Sequence, residues 1–334
     1  MKKYSISVVL LFLCIVLSSC FSDKNNEITE TGNETTSFKV EITETESTTG
    51  YNEDENSVDV QTEPMSSDRC FYGKYTGTDK TFTGYEPLPL LDFSDVKSDK
   101  LDSMPRTMIS HSYGVAKNEK PHEISVTNQK FFDEKEFDAV CLDPSADDKL
   151  VYLTFDCGYE NGFTSKILDT LKEKNVKAAF FCTLPQVKEN SELIARMIRE
   201  GHIVGNHSVT HPDFSSLSES EIIEEIKGFD DYMREKFGYS SLYFRYPQGK
   251  YSEYALTVLN SLGFKCVFWS LAYADWETDN QKGAMYAYET VMSRIHPGAV
   301  ILLHSVSSDN AGALGDIIDS CREKGYEFCS LEDM

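Results

Sequence analysis

From Lys149 onward the chain alternates without a break between short, continuously apolar runs and longer stretches with helical spacing. The apolar runs are LVYLTF (150–155), AAFFCT (178–183), HIVGNHS (202–208), LYFRYP (242–247), CVFWSLA (266–272), AVILLHS (299–305) and YEFCSL (326–331). Six amphipathic stretches separate them, the longest being SESEIIEEIKGFDDYMREKF at 218–237. Strands that are apolar on both faces belong to parallel sheets covered by crossover helices. Seven of them in strict βα order fit either a distorted or incomplete (β/α) barrel or a doubly wound open sheet. No Gly-x-Gly-x-x-Gly follows the first run, and no Gly-rich loop ends in Lys-Ser or Lys-Thr. A nucleotide would therefore lack its phosphate cradle.

The residues ahead of this domain (149–334) divide into three. Lys2 and Lys3 precede an apolar segment from Ile6 to Leu17, which is short for a membrane span and reads as a signal sequence, residues 1–20. It ends in Leu17-Ser18-Ser19-Cys20, which resembles a bacterial lipobox rather than an ordinary secretory signal with a chance cysteine. An acylated Cys20 would tether the protein on the outer side of the membrane. Between Phe21 and Asp68 there are 13 acidic residues against two lysines, with many Ser and Thr and few large aliphatics. Such a segment cannot bury enough apolar surface to offset its ordering entropy, so residues 21–69 read as a disordered linker. Residues 70–148 show no clear period and read as an irregular N-terminal extension. The formal net charge of −23 excludes the basic footprint that a nucleic acid requires. Apart from Cys14 and Cys20, seven cysteines at irregular spacing form no disulfide framework and are expected to pack as small apolar residues.

In either architecture ligands bind beyond the carboxyl ends of the strands. Five strands deliver polar residues there: Asp156-Cys157, His207-x3-His211, Arg245, Asp275-Trp276 and His304. Four residues apart on a helical turn, His207 and His211 would share one face, a spacing suited to a divalent metal. An amide is a poor electrophile, and a metal can both polarise its carbonyl and acidify a water to a pKa of ~7. A general base must then take the water proton and a general acid must protonate the departing amine. Asp156 fits the base and His304 the acid. His111, His122, His202 and His296 read as structural or surface residues.

The stretches Thr154-Phe155-Asp156-Cys157-Gly158, His207-x3-His211-Pro212, Arg245-x-Pro247-x-Gly249, Asp275-Trp276 and Leu302-Leu303-His304 resemble, in order and spacing, the motifs of polysaccharide deacetylases with a NodB-type homology domain. GYENG (158–162), FWSLAYADW (268–276) and LLHSVSSDNA (302–311) are similar to the subgroup of delta-lactam-biosynthetic de-N-acetylases. The resemblance implies the barrel option and the removal of an N-acetyl group from an amino sugar of peptidoglycan, N-acetylmuramic acid. It implies Arg245 as partner of Asp156, Asp275 as a residue tuning the network, and the backbone N–H near Gln248 as an oxyanion donor. Trp276 would line the sugar pocket or else pack in the core. Most members carry a second Asp, a metal ligand, where this chain has Cys157. The thiol either replaces it, which favours Zn2+, or is a spectator.

Two other readings compete. One is a catalytically impaired peptidoglycan-binding lipoprotein of the same fold, favoured by Cys157 alone. The other is a barrel glycosidase using Asp156 and Asp275, whose carboxylates would have to stand about 5–5.5 Å or 6.5–9.5 Å apart. It leaves the histidine pair unexplained. A monomer is expected.

Overall fold

The computed structural model describes residues 71–75, 85–87, 91–93, 101–145 and 149–334. The signal sequence, Cys20 and the whole of the acidic linker lie outside the described residues. β1 (Phe71–Tyr75) and β2 (Tyr85–Pro87) form an antiparallel pair. They are followed by β3 (Ile109–Ser110), α1 (Glu123–Glu134) and β4 (Ala139–Val140). The regular part then runs β5 (Leu150–Cys157), α2 (Thr164–Glu173), β6 (Ala179–Cys182), α3 (Leu184–Glu189), α4 (Ser191–Arg199), β7 (Ile203–Asn206) and α5 (Glu219–Phe237). It continues with β8 (Tyr243–Phe244), β9 (Lys250–Tyr251), α6 (Glu253–Ser261), β10 (Lys265–Val267), α7 (Ala284–Arg294), β11 (Ala299–His304), α8 (Ser308–Glu323) and β12 (Glu327–Cys329).

Eight of these strands make one parallel sheet in the order β11-β5-β6-β7-β8-β10-β4, with β12 also on β5. The sheet curls until its ends meet. Beyond β10, Leu271 bridges Ile301 of β11 in parallel, and Leu302 N–H donates to the Leu271 carbonyl at 2.9 Å. Lower down, β4 fills the seam, pairing with β10 and reaching β11 through a Leu142–Ala299 bridge. The distorted (β/α) barrel is the architecture observed.

Within 70–148, read from the sequence as irregular, β1 to β4 and α1 are regular elements. Of these, β4 is part of the barrel wall. α1 escaped the hydrophobic period because its buried residues are Ser125, Gln129 and Phe132. Gln129 answers backbone groups of the seam: its Oε1 accepts from Cys141 N at 2.8 Å and its Nε2 donates to Ala139 O at 3.3 Å.

Alternation along β5 decides what the site can contain. Val151, Leu153, Phe155 and Cys157 all belong to one apolar cluster, beside Ile167, Leu168 and Leu171 of α2 and Leu314 and Ile318 of α8. Tyr152 belongs to the other cluster, and Thr154 and Asp156 share its face by the two-residue period. Three of the helices that follow start on a side-chain cap. Ser218 and Glu221 form a capping box at α5, and Ser252 and Ser307 cap α6 and α8. No helix of the described residues is long and apolar enough to cross a membrane. Cys141, Cys157, Cys182, Cys266 and Cys321 are free and buried, and Cys329 is half-buried.

Gly298 ties the seam together: its N–H donates to Leu150 O and its carbonyl accepts from Asp143 N, both at 2.8 Å. Its φ is +73°, and an added Cβ would stand 2.1 Å from Asp143 O. Gly298→Ala combines left-handed strain with a backbone clash. It should cost on the order of 2–3 kcal/mol, a fall in Tm of roughly 5–10 °C in a thermal melt. Gly315→Ala in α8, where a Cβ would meet only Thr170 Cγ2 and Lys174 Cε at 3.7 and 3.8 Å, is the control and should not lower Tm.

Candidate active site

Asp156, Arg245, His207, His211, Asp275 and His304 converge at the carboxyl end of the barrel strands. The register of β11 against β5 places His304 directly beside Asp156. Arg245 follows β8 and has no exposed surface. Its Nη1 donates to Asp156 Oδ1 at 2.9 Å, its Nε to Val267 O at 2.9 Å and its Nη2 to Phe268 O at 3.2 Å. The guanidinium also lies 4.2 Å from the centroid of the Phe181 ring. Burial opposes ionisation of Asp156, yet His207, the Arg245 guanidinium and His304 hold its carboxyl below the usual carboxylate range. At pH 7 it is a carboxylate.

His207 and His211 do come together, with ring centroids 4.8 Å apart, but not on a helical turn. They bracket a loop in which Ser208 and His211 have φ of 74° and 60°. Non-glycine residues are held in that region only when the surroundings over-determine them. Glu225 of α5 does so: its Oε2 accepts from Val209 N and Thr210 N at 2.9 and 2.8 Å, and its Oε1 from Thr210 Oγ1 at 2.6 Å. Asn206 Oδ1 and Ser208 Oγ accept from Ser208 N and His211 N at 2.8 and 2.9 Å. None of these helpers is visible in the His-x3-His spacing.

His207 Nδ1 lies 2.8 Å from Arg245 O, which makes Nδ1 the donor and leaves Nε2 as a lone pair, 3.5 Å from Asp156 Oδ2. Burial pushes its pKa down to about 4, so the ring is neutral at pH 7. Burial lowers His211 as well. A neutral imidazole whose other nitrogen is tied to a carbonyl is the usual form of a metal ligand. The pair therefore fits a divalent cation with two nitrogen donors, the remaining positions falling to water or substrate. Among the described residues no group of three or more His, Cys, Asp and Glu is arranged to hold a metal. Cys157 is not brought to the histidines. It is fully buried in the apolar cluster, on the opposite face of β5 from Asp156, with Cys182 as its register neighbour.

His304 is gripped twice by Asp275. Its Nδ1–H donates to Oδ1 and its backbone N–H to Oδ2, each at 2.7 Å. Asn310 Nδ2 donates to the same Oδ2 at 2.5 Å, and Tyr273 OH donates to Asn310 Oδ1 at 2.5 Å. Burial opposes a charge on His304, but the Asp275 carboxylate outweighs it and raises the pKa above the ordinary 6.5. Trp276 is not in the core. It is 52% exposed and meets the His304 ring edge-on at 5.4 Å, so it walls the site. Gln248 is exposed, with φ of 57°, in the turn Pro247–Gly249 after β8.

This geometry can place an anionic base and a cationic acid on adjacent strands beside a pair of neutral imidazoles. Residues 143–267 match the polysaccharide deacetylase family. The chain is 48% identical over 193 residues to an uncharacterized 30.6 kDa protein of Geobacillus stearothermophilus, covering 58% of this chain and 72% of that one. It is 46% identical over 188 residues to the peptidoglycan-N-acetylmuramic acid deacetylase PdaA of Bacillus subtilis, covering 56% and 72%. The solved structure of PdaA, described as a family 4 carbohydrate esterase, superposes with a TM-score of 0.66 at 40% identity, covering 69% of this chain and 97% of that one.

Asp275→Asn keeps the shape but removes the charge that raises His304. The His304 pKa in the variant should fall relative to the parent, read from the imidazole C–H resonances in an NMR titration. The sign carries to stability. With the folded pKa raised, Asp275 stabilises the fold below the ordinary value of 6.5, and this contribution is lost as pH rises through the folded value.

Proposed function

The chain belongs to the polysaccharide deacetylase family, and from that premise we propose that it removes the N-acetyl group of N-acetylmuramic acid in peptidoglycan, with a divalent metal as cofactor. The observation that carries the reading is the juxtaposition of Asp156, paired with Arg245, and His304, held at Nδ1 by Asp275, in one register of adjacent strands. The named substrate of PdaA supports the choice of sugar. Held by His207 and His211, a cation such as Zn2+ would supply Lewis acidity to the acetamide carbonyl and make water acidic enough to attack.

The chain's own residues do the rest. Asp156 has an oxygen free of Arg245 to accept the proton of the attacking water. His304 presents its Nε2 to the site, because Nδ1 is committed to Asp275, and gives its own Nε2 proton to the departing amine, while the water proton stays on Asp156. Trp276 lies against His304, where a sugar ring would stack on its exposed face. The backbone N–H near Gln248 would answer the developing oxyanion. We place the protein outside the cytoplasmic membrane, tethered by acylation of Cys20, a reading supported by Lys2, Lys3 and the Leu17-Ser18-Ser19-Cys20 sequence. A catalytically impaired wall-binding lipoprotein would release no acetate, and a glycosidase would release reducing ends instead.

Acetate release from N-acetylated glycan strands should stop on chelation and return with a divalent cation. His207→Ala and His211→Ala should each lose most of the bound metal, and full activity in metal-free protein would sink the metal assignment. His304→Ala should lower the rate by ~10²–10⁴ and remove the alkaline limb of the pH profile. Retained activity with that limb unchanged would assign the acid elsewhere. Cys157→Ser should keep the parental metal content, whereas a large loss would return the thiol to the ligand set.

A further inference from the structure

A histidine ahead of the family-matching region, which the chemistry above does not use, is built into the support of Arg245. β3 pairs with β9, and the next residue, His111, is buried against Phe268 and Trp269 with ring centroids 4.8 and 5.0 Å away. Its backbone N–H donates to Gly249 O at 2.8 Å, and its Nε2 lies 2.7 Å from Trp269 O. A carbonyl can only accept, so Nε2 carries the proton. Nδ1 is buried without a partner, and burial lowers the pKa to about 4, so the ring is a neutral, single donor.

The carbonyl that it grips is the third in a consecutive row. Val267 O takes Arg245 Nε, Phe268 O takes Nη2, and Trp269 O takes His111. Phe268 and Trp269 lie beyond the end of β10; Phe268 N–H still donates to Val140 O at 2.7 Å and Ser270 N–H to Val300 O at 3.0 Å, and His111 adds a side-chain hold on the Trp269 carbonyl. The histidine's own segment is fastened in turn by α1, whose Asn128 Nδ2 donates to Ser112 O at 2.5 Å and Ser125 Oγ to Tyr113 O at 2.6 Å.

We propose that His111 is a positioning residue: by holding the Trp269 carbonyl it fixes the backbone whose two preceding carbonyls aim Arg245 at Asp156. The N-terminal extension is thereby part of the catalytic framework. This inference rests on the deacetylase reading for its kinetic consequence, though not for the contact itself.

The test compares His111→Phe and His111→Gln in the full chain. Phe keeps a ring of similar shape on Phe268 and Trp269 but donates nothing, whereas Gln can place an N–H where Nε2 stands. His111→Phe should lose roughly 10–100-fold in kcat with KM for the glycan little changed, because a small misplacement of a catalytic group has that effect. His111→Gln should recover most of the loss. Parental kcat in His111→Phe, or equal losses in both variants, would overturn the proposal. Should His111→Phe not fold, His111→Met takes its place as the variant without a donor, and the comparison with Gln stands. The Arg245 Nε resonance in 15N NMR supplies a readout independent of turnover. It should shift in the variant lacking a donor and return towards the parental position with Gln; no shift in either overturns the coupling. A parent protein that releases no acetate would defeat the deacetylase reading alone.

Discussion

A guanidinium with no exposed surface is tolerated only where each nitrogen is answered and its charge is met. Arg245 satisfies that condition with one carboxylate oxygen of Asp156 and two carbonyls from the end of β10. The arrangement requires β5, β8 and β10 to deliver their carboxyl ends to one place, so the curl of the sheet and the ion pair specify each other. Removing one partner of such a pair typically costs about 3–5 kcal/mol, because the other is left buried and uncompensated. The same contact keeps Asp156 ionised and points its second oxygen at His207.

Charge is then distributed over the site by burial and by neighbours. His207 is buried and His304 half-buried, each beside a carboxylate, yet they go opposite ways. Burial dominates at His207, which shares Asp156 with Arg245 and is pushed down to about 4. At His304 one oxygen of Asp275 meets the ring and the other, shared with Asn310, meets the backbone N–H, and the pKa rises. One histidine becomes a neutral donor of lone pairs and the other a carrier of a proton. Acetamide hydrolysis needs both.

Much of this was legible in the residues. Continuous apolar runs announced buried parallel strands, and the polar residues at their ends announced the rim, because parallel sheets put ligands there. Period-two alternation also bears on Cys157. As the immediate neighbour of Asp156 on a regular strand it faces away, which the sequence implies once the strand is taken to extend to residue 157. The hidden parts share a physical cause. α1 buries Ser125 and Gln129, which hydrogen-bond backbone instead of packing, so it has no apolar stripe to read. β4 is two residues long. The histidine loop relies on left-handed φ at Ser208 and His211, sustained by Glu225 from the helix that follows it. His111 sits in a stretch without period, and only the three-dimensional contact with Trp269 gives it meaning.

In the proposed reaction this rim cleaves an acetamide on a wall sugar with Asp156 as base. Mass spectrometry of peptidoglycan fragments after incubation with the parent chain and with Asp156→Asn tests it most directly. Muramic acid residues lacking one acetyl group are expected with the parent, and unaltered fragments with the variant. Unaltered fragments with the metal-loaded parent, or deacetylation that survives in Asp156→Asn, would contradict it.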